Sequence, residues 1–162
     1  MANRGDEPQW LDEQQQRAWR ALLVVLNRAM PDIERTLKEH DLLSIQYGML
    51  VALAEAPEST RRLSDLAEDA NMSQSRLSHR IRDLVENGDV EVDNDPDDGR
   101  VKLARLTPKG RRRLERLAPL HVADVQRLLF DHLDERQTAA LADALGTVAG
   151  GLCDHDEFRT SG

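Results

Sequence analysis

The chain has 162 residues, 30 Asp and Glu against 22 Lys and Arg, and a formal net charge of -8. With 40% hydrophobic and 32% charged residues its composition is that of a folded domain, and no apolar run approaches the roughly 18–20 residues that a bilayer crossing needs. A single cysteine, Cys153, excludes an internal disulfide framework and a thiolate metal cluster, and the charged start from Met1 to Glu7 is not a secretory signal, so a reducing cytoplasmic setting is expected.

From Trp10 a helical pattern begins, with Trp19, Leu22, Leu23, Leu26, Met30, Ile33 and Leu37 at the spacing of one apolar stripe. Pro31 lies inside it, and a kink or a division is expected there. Ser44 is positioned to cap a second helix whose inner face is Ile45, Met49, Leu50 and Leu53. Thr60 is expected to cap a short helix over 61–70, followed by a turn at Asn71-Met72-Ser73. The next helix, 74–87, ends at Asn87-Gly88, where glycine supplies the left-handed residue.

Val90 and Val92 then alternate with acids, Asp95-Pro96-Asp97-Asp98-Gly99 reads as a tight turn, and Val101, Leu103 and Leu106 form a second run: a β-hairpin. Thr107-Pro108 is an N-cap with proline at the first helical position, opening a helix expected to reach about Leu133 and to bend near Pro119. Asp134 to Gln137 is a capping-box pattern for a last helix with Leu141, Leu145, Val148 and Leu152 inward. The flanking helices carry apolar stripes that one small core does not cover.

Charge is uneven. Residues 60–116 hold 13 basic and 12 acidic side chains, whereas both flanks are net acidic. A polyanion is repelled by the total, so nucleic-acid binding requires a local basic face. On a helical wheel of 74–87, Leu77, Ile81, Leu84 and Val85 share one side. Ser75, Arg76, His79 and Arg82 lie opposite, with Ser78 and Arg80 on the flanks. Such a helix suits a major groove, where arginine bonds guanine through two donors, although an ordinary solvated surface helix shows the same pattern. Arg61-Arg62, and Lys109 with Arg111-Arg112-Arg113, fall in the expected first turns of helices. There they oppose the macrodipole, and they become favourable beside phosphate or bend away from the helix end. Asp98, two residues from Arg100, is placed to pair with that guanidinium, either aiming it outward into a narrow minor groove or forming a plain surface ion pair that contributes about 0–1 kcal/mol.

Four segments, Leu63-Ser64-Asp65-Leu66-Ala67, Asn71 to Leu77, Asp95 to Arg100 and Leu106-Thr107-Pro108-Lys109-Gly110, together resemble the MarR family of bacterial winged-helix regulators. The resemblance implies a mainly α fold with a small β-hairpin wing: a winged helix-turn-helix lobe over 44–118 and a helical dimerisation region from 10–43 and 119–153. Residues 1–9 and 154–162 are then polar tails. It further implies a homodimeric DNA-binding regulator, more often a repressor, on a pseudo-palindromic site. Double-stranded DNA would meet Arg61, Arg62, Ser73, Ser75, Arg76, Ser78, His79 and Arg82, with Asp98 and Arg100 at the wing tip. Asp89, Val92 and the pair Gly99-Arg100 depart from the family pattern, and a wing that holds phosphate more weakly is expected from them.

Family members often release DNA on binding a small aromatic or anionic effector. Trp19, Tyr47 and His121 are the candidates to line such a site, with core packing as the competing reading. Cys153 near the polar end does not suit thiol sensing, and Glu39, His40 and His121 lack metal-ligand spacing. His132 and His155 read as surface residues. No Gly-rich phosphate loop, G-x-S-x-G, H-E-x-x-H or Cys–His arrangement is present, so neither an enzyme nor a cofactor is implied. The rival is a helical module that uses its winged helix to bind protein, and steep loss of affinity with salt distinguishes a DNA reader from it.

Overall fold

The computed structural model describes residues 9–152. Helix α1 (Glu13–Lys38) opens on a reciprocal cap in which Asp12 accepts from the Gln15 amide at 2.8 Å and the Gln15 side chain accepts from the Asp12 amide at 3.0 Å. It begins three residues later than the apolar pattern and runs undivided through Pro31. One missing backbone donor does not end a helix whose next two turns are anchored by buried Ile33 and Leu37. The left-handed residue Asp41 (φ 56°) turns the chain into α2 (Ser44–Glu55). Ser44 is not the cap. The Leu43 amide donates to the Gln46 side chain at 3.0 Å, while the Ser44 amide and hydroxyl both donate to Glu34 of α1.

Two left-handed residues, Glu58 and Ser59, lead into strand β1 (Thr60–Arg62), where a helix is expected from the sequence. The helix α3 is therefore shorter, Leu63–Asp69. Three residues are too few to show alternation, and what makes them a strand is their non-local pairing to β3. Asn71, at φ 48°, supplies the left-handed bend before α4 (Gln74–Glu86). Gly88 (φ 70°) closes α4, as the sequence predicts.

Strands β2 (Val90–Asn94) and β3 (Lys102–Leu106) form the hairpin, with Val90 opposite Leu106 and Asn94 opposite Lys102, in an antiparallel sheet of order β1-β3-β2. Helix α5 (Pro108–Leu128) starts at Thr107, whose hydroxyl accepts from the Gly110 amide at 3.0 Å. It continues through Pro119 and ends about a turn before Leu133, because Leu129 leaves the helical basin (φ -131°, ψ -66°). Asp134 and Gln137 exchange the anticipated capping bonds ahead of α6 (Glu135–Leu152).

One core unites the C-terminal end of α1 with α2, α3, α4, the sheet and α5 through Leu37, Leu50, Leu53, Leu66, Leu77, Leu84, Val90 and Leu117. The remaining apolar stripe is left uncovered by the described residues. Trp19, Leu26 and Met30 of α1 and Leu145, Val148 and Leu152 of α6 are exposed, and no residue of α6 is buried. The inward orientation expected for the α6 stripe is therefore not met within one chain.

Candidate nucleic-acid interface

Three features hold α4 from behind. Leu77, Ile81 and Leu84 are buried in the core. Ser73 caps the first turn, its hydroxyl accepting from the Arg76 amide at 3.4 Å. Gln46 of α2 donates to the Arg80 carbonyl and to the Asp83 carboxylate, both at 3.1 Å. Val85, expected on the inner face, is instead 39% exposed, because the core ends at Leu84 one turn short of the cap. The opposite face carries Ser75, Arg76, Ser78, His79 and Arg82, all exposed. Ser75, Arg76, His79 and Arg80 enclose a shallow concavity on it.

The wing adds a second wall. Gln74 and Ser78 of α4, Ser64 of α3, and Arg100 and Lys102 of the hairpin line a groove of about 330 Å³ floored by Leu63, Leu77 and Val101. Ser78 and Arg100, assigned from distant parts of the sequence, thus meet in one groove. Ser64, Gln74 and Lys102 were not among the sequence candidates. Lys102 carried a signal, since it is the outward residue between Val101 and Leu103, whereas Ser64 and Gln74 carried none beyond being polar at a helix start. Asp98 does not pair with the Arg100 guanidinium. Its carboxylate accepts from the Arg100 backbone amide at 3.0 Å, an Asx-type bond that shapes the tip and leaves the side chain exposed.

The basic residues divide by partner. Among the described residues Arg62, Arg76, Arg82 and Arg100 have no carboxylate partner. Arg61 stands in strand β1 and pairs with Asp69 at 2.5 Å, so its charge is drawn back to the protein. The α5 cluster is largely committed too. Lys109 donates to the Asn87 carbonyl, Arg111 to the Ser59 hydroxyl at 2.5 Å, and Arg113 to Asp89. Asp89, one of the departures from the family pattern behind the expectation of a weaker wing, is fully buried beneath Arg113 and adds nothing to the wing surface.

A separate cleft of about 430 Å³ opens between α1, α2 and α5, lined by Met30, Ile33, Ser44, Tyr47, Val51, Ala52 and His121 among others. The Tyr47 and His121 rings lie 4.5 Å apart at 40°. Burial lowers the His121 pKa against the opposing charge of Asp124, and its Nδ1 is buried without a hydrogen-bond partner. Burial raises the Tyr47 pKa. Trp19 is not part of this cleft; it lies exposed further toward the start of α1. His132 is exposed, and Cys153 and His155 fall outside the described residues. Among the described residues no group of His, Cys, Asp and Glu is arranged to hold a metal ion, and no helix is long and apolar enough to cross a membrane.

Residues 50–110 match the model of a winged helix DNA-binding domain. The chain is similar to Sco3205 of Streptomyces coelicolor, a MarR family transcriptional regulator whose structure is of a complex with DNA. That similarity is 36% identity over 91% of this chain and 93% of that one, with a TM-score of 0.84. It is 34% identical to AbsC, a MarR family regulator of the same organism, over 90% of this chain and 98% of that one, with a TM-score of 0.83. BpsR of Bordetella bronchiseptica, whose DNA binding is regulated by 6-hydroxynicotinic acid, shares the fold at 24% identity, covering 88% and 98% of the two chains with a TM-score of 0.71. No curated protein matches the chain in sequence.

Proposed function

Starting from the chain's membership of the MarR family of DNA-binding transcriptional regulators, which are not enzymes, we propose that it acts as a homodimeric repressor reading a pseudo-palindromic operator. The observation that carries this reading is the α4 face, where Arg76 and Arg82 stand exposed and unpaired beside Ser75 and His79, with Arg100 across a groove. In this assignment Ser73, Ser75, Arg76, Ser78, His79 and Arg82 face the major groove. Arg62 meets phosphate, and Arg100, shaped by Asp98, enters the minor groove.

Residues 44–118 form the DNA-binding lobe, and 10–43 with 119–153 the dimerisation region. The uncovered stripe of Trp19, Leu26, Met30, Leu145 and Val148 supports that division, because contiguous exposed apolar surface of this kind marks an interface. The cleft at Tyr47 and His121 is the candidate effector site for a small aromatic or anionic molecule, by analogy with the regulated binding of BpsR.

Fluorescence anisotropy on the chain's own upstream DNA and on a scrambled fragment, at several salt concentrations, tests the reading. Preference for the native fragment, with log affinity falling by about 0.9 per phosphate contact against log salt, supports it. Salt-insensitive binding to a protein partner and none to sites selected from random DNA would move the function to protein recognition.

A further inference from the structure

The root of the wing holds Asp89, the only fully buried charged side chain among the described residues. Asp89 lies three residues past the end of α4, its amide donating to the Leu84 carbonyl at 2.8 Å and its carbonyl accepting from the Thr107 amide at 3.0 Å. Helix α5 presses on this point so closely that a Cβ on Gly110 would lie 2.1 Å from the Asp89 carbonyl oxygen. One carboxylate oxygen of Asp89 takes its bond from Arg113, and the other, Oδ1, is buried without a partner. Among the described residues the guanidinium is therefore the only cation within ion-pair distance of a carboxylate removed from water.

The same guanidinium reaches a third segment. Its Nη2 donates to the carbonyls of His40 and Asp41, both at 2.8 Å, in the corner where α1 turns into α2. Gln46 makes a second link, accepting from the Leu43 amide and donating to the Arg80 carbonyl and the Asp83 carboxylate, but among the described residues only Arg113 joins the His40 and Asp41 carbonyls to Asp89 at the wing root. The hydrophobic core beneath has no directional preference, whereas a planar fork of donors fixes both distance and angle.

We propose that Arg113 is a positioning residue. It sets the angle between the arm helix α1 and the recognition helix α4, and so the separation of half-sites that the dimer accepts. The inference rests on the dimeric reading above. Each base pair of separation moves a half-site about 3.4 Å along the duplex and roughly a tenth of a turn around it, so a modest change in that angle changes the preferred spacing. A lysine at this position still neutralises Asp89 but cannot grip three acceptors in one plane.

The test is selection of sites from random duplex DNA by the wild-type chain, Arg113→Lys and Arg113→Gln, read as the half-site motif and the distribution of half-site separations. Each variant's melting is recorded in parallel. The wild type selects one separation. A folded variant keeps the half-site motif but loses its preference for that separation over neighbours one base pair away, by roughly tenfold, the scale of one lost base contact. An unchanged single separation in a folded variant overturns the proposal. Absence of a melting transition in both variants also overturns it, by making the cluster a folding element. Single unpaired motifs selected by the wild type would instead overturn the dimeric reading, a distinguishable failure.

Discussion

The exposed face of α4 and the first turns of α5 hold basic residues at similar density, yet they have opposite fates. Among the described residues Arg76 and Arg82 on α4 have no carboxylate partner, while Lys109, Arg111 and Arg113 on α5 are bound to Asn87, Ser59 and Asp89. Arg76 of α4 and Lys109 and Arg111 of α5 lie in the first turn of their helices, where positive charge is disfavoured by the macrodipole, whereas Arg82 lies in the C-terminal half of α4. On α5 that cost is offset by hydrogen bonds to neighbouring segments. At Arg76 no carboxylate among the described residues offsets it, which leaves that cation available to a polyanion. Pairing, and not the number of arginines, separates a structural cluster from a binding face.

The largest effect that sharpens this contrast is on stability. Arg113→Ala leaves Asp89 buried and unpaired, and urea denaturation is expected to show a loss of about 3–5 kcal/mol. Arg76→Ala has the complementary signature, an unchanged melting temperature with operator affinity lowered by about 1–3 kcal/mol, measured by anisotropy. Arg100→Ala is expected to lower the salt slope by about 0.9 and to weaken binding while leaving the base preference of each half-site intact.

A smaller effect involves His121. Burial lowers its pKa in the folded chain, so the unfolded chain takes up the proton first as pH falls. Its contribution is intact above about pH 6.5, the ordinary imidazole value, and is lost as pH drops below it toward the folded pKa. His121→Phe, which keeps a ring against Tyr47, should show a flatter melting temperature than the wild type between about pH 7.5 and 5.5.

Much of the fold was legible in the sequence because local chemistry determines it. Asn71 and Gly88 take the left-handed conformations their residue types favour, and Thr107 and Asp134 cap the helices they precede. The exposed polar side of α4, with Ser75, Arg76, His79 and Arg82, followed from helical periodicity alone. Strand β1 was not legible, since its three residues become a strand only through β3, more than forty positions away. The role of Asp89 was misread for the same reason: a lone acid beside a glycine shows nothing of an arginine 24 residues later that buries it. Asp98 was legible as a partner of Arg100, but its partner atom is the backbone amide and not the guanidinium.

The most direct test of the central contrast places Arg76→Ala and Arg111→Ala in one anisotropy titration against the wild type, on the same DNA and at the same salt. The account predicts that Arg76→Ala lowers affinity about tenfold or more, while Arg111→Ala stays within about 0.5 kcal/mol of the wild type in both affinity and stability. Equal losses of affinity in the two variants would contradict it, because the α5 cluster would then belong to the DNA interface and not to the frame that supports it.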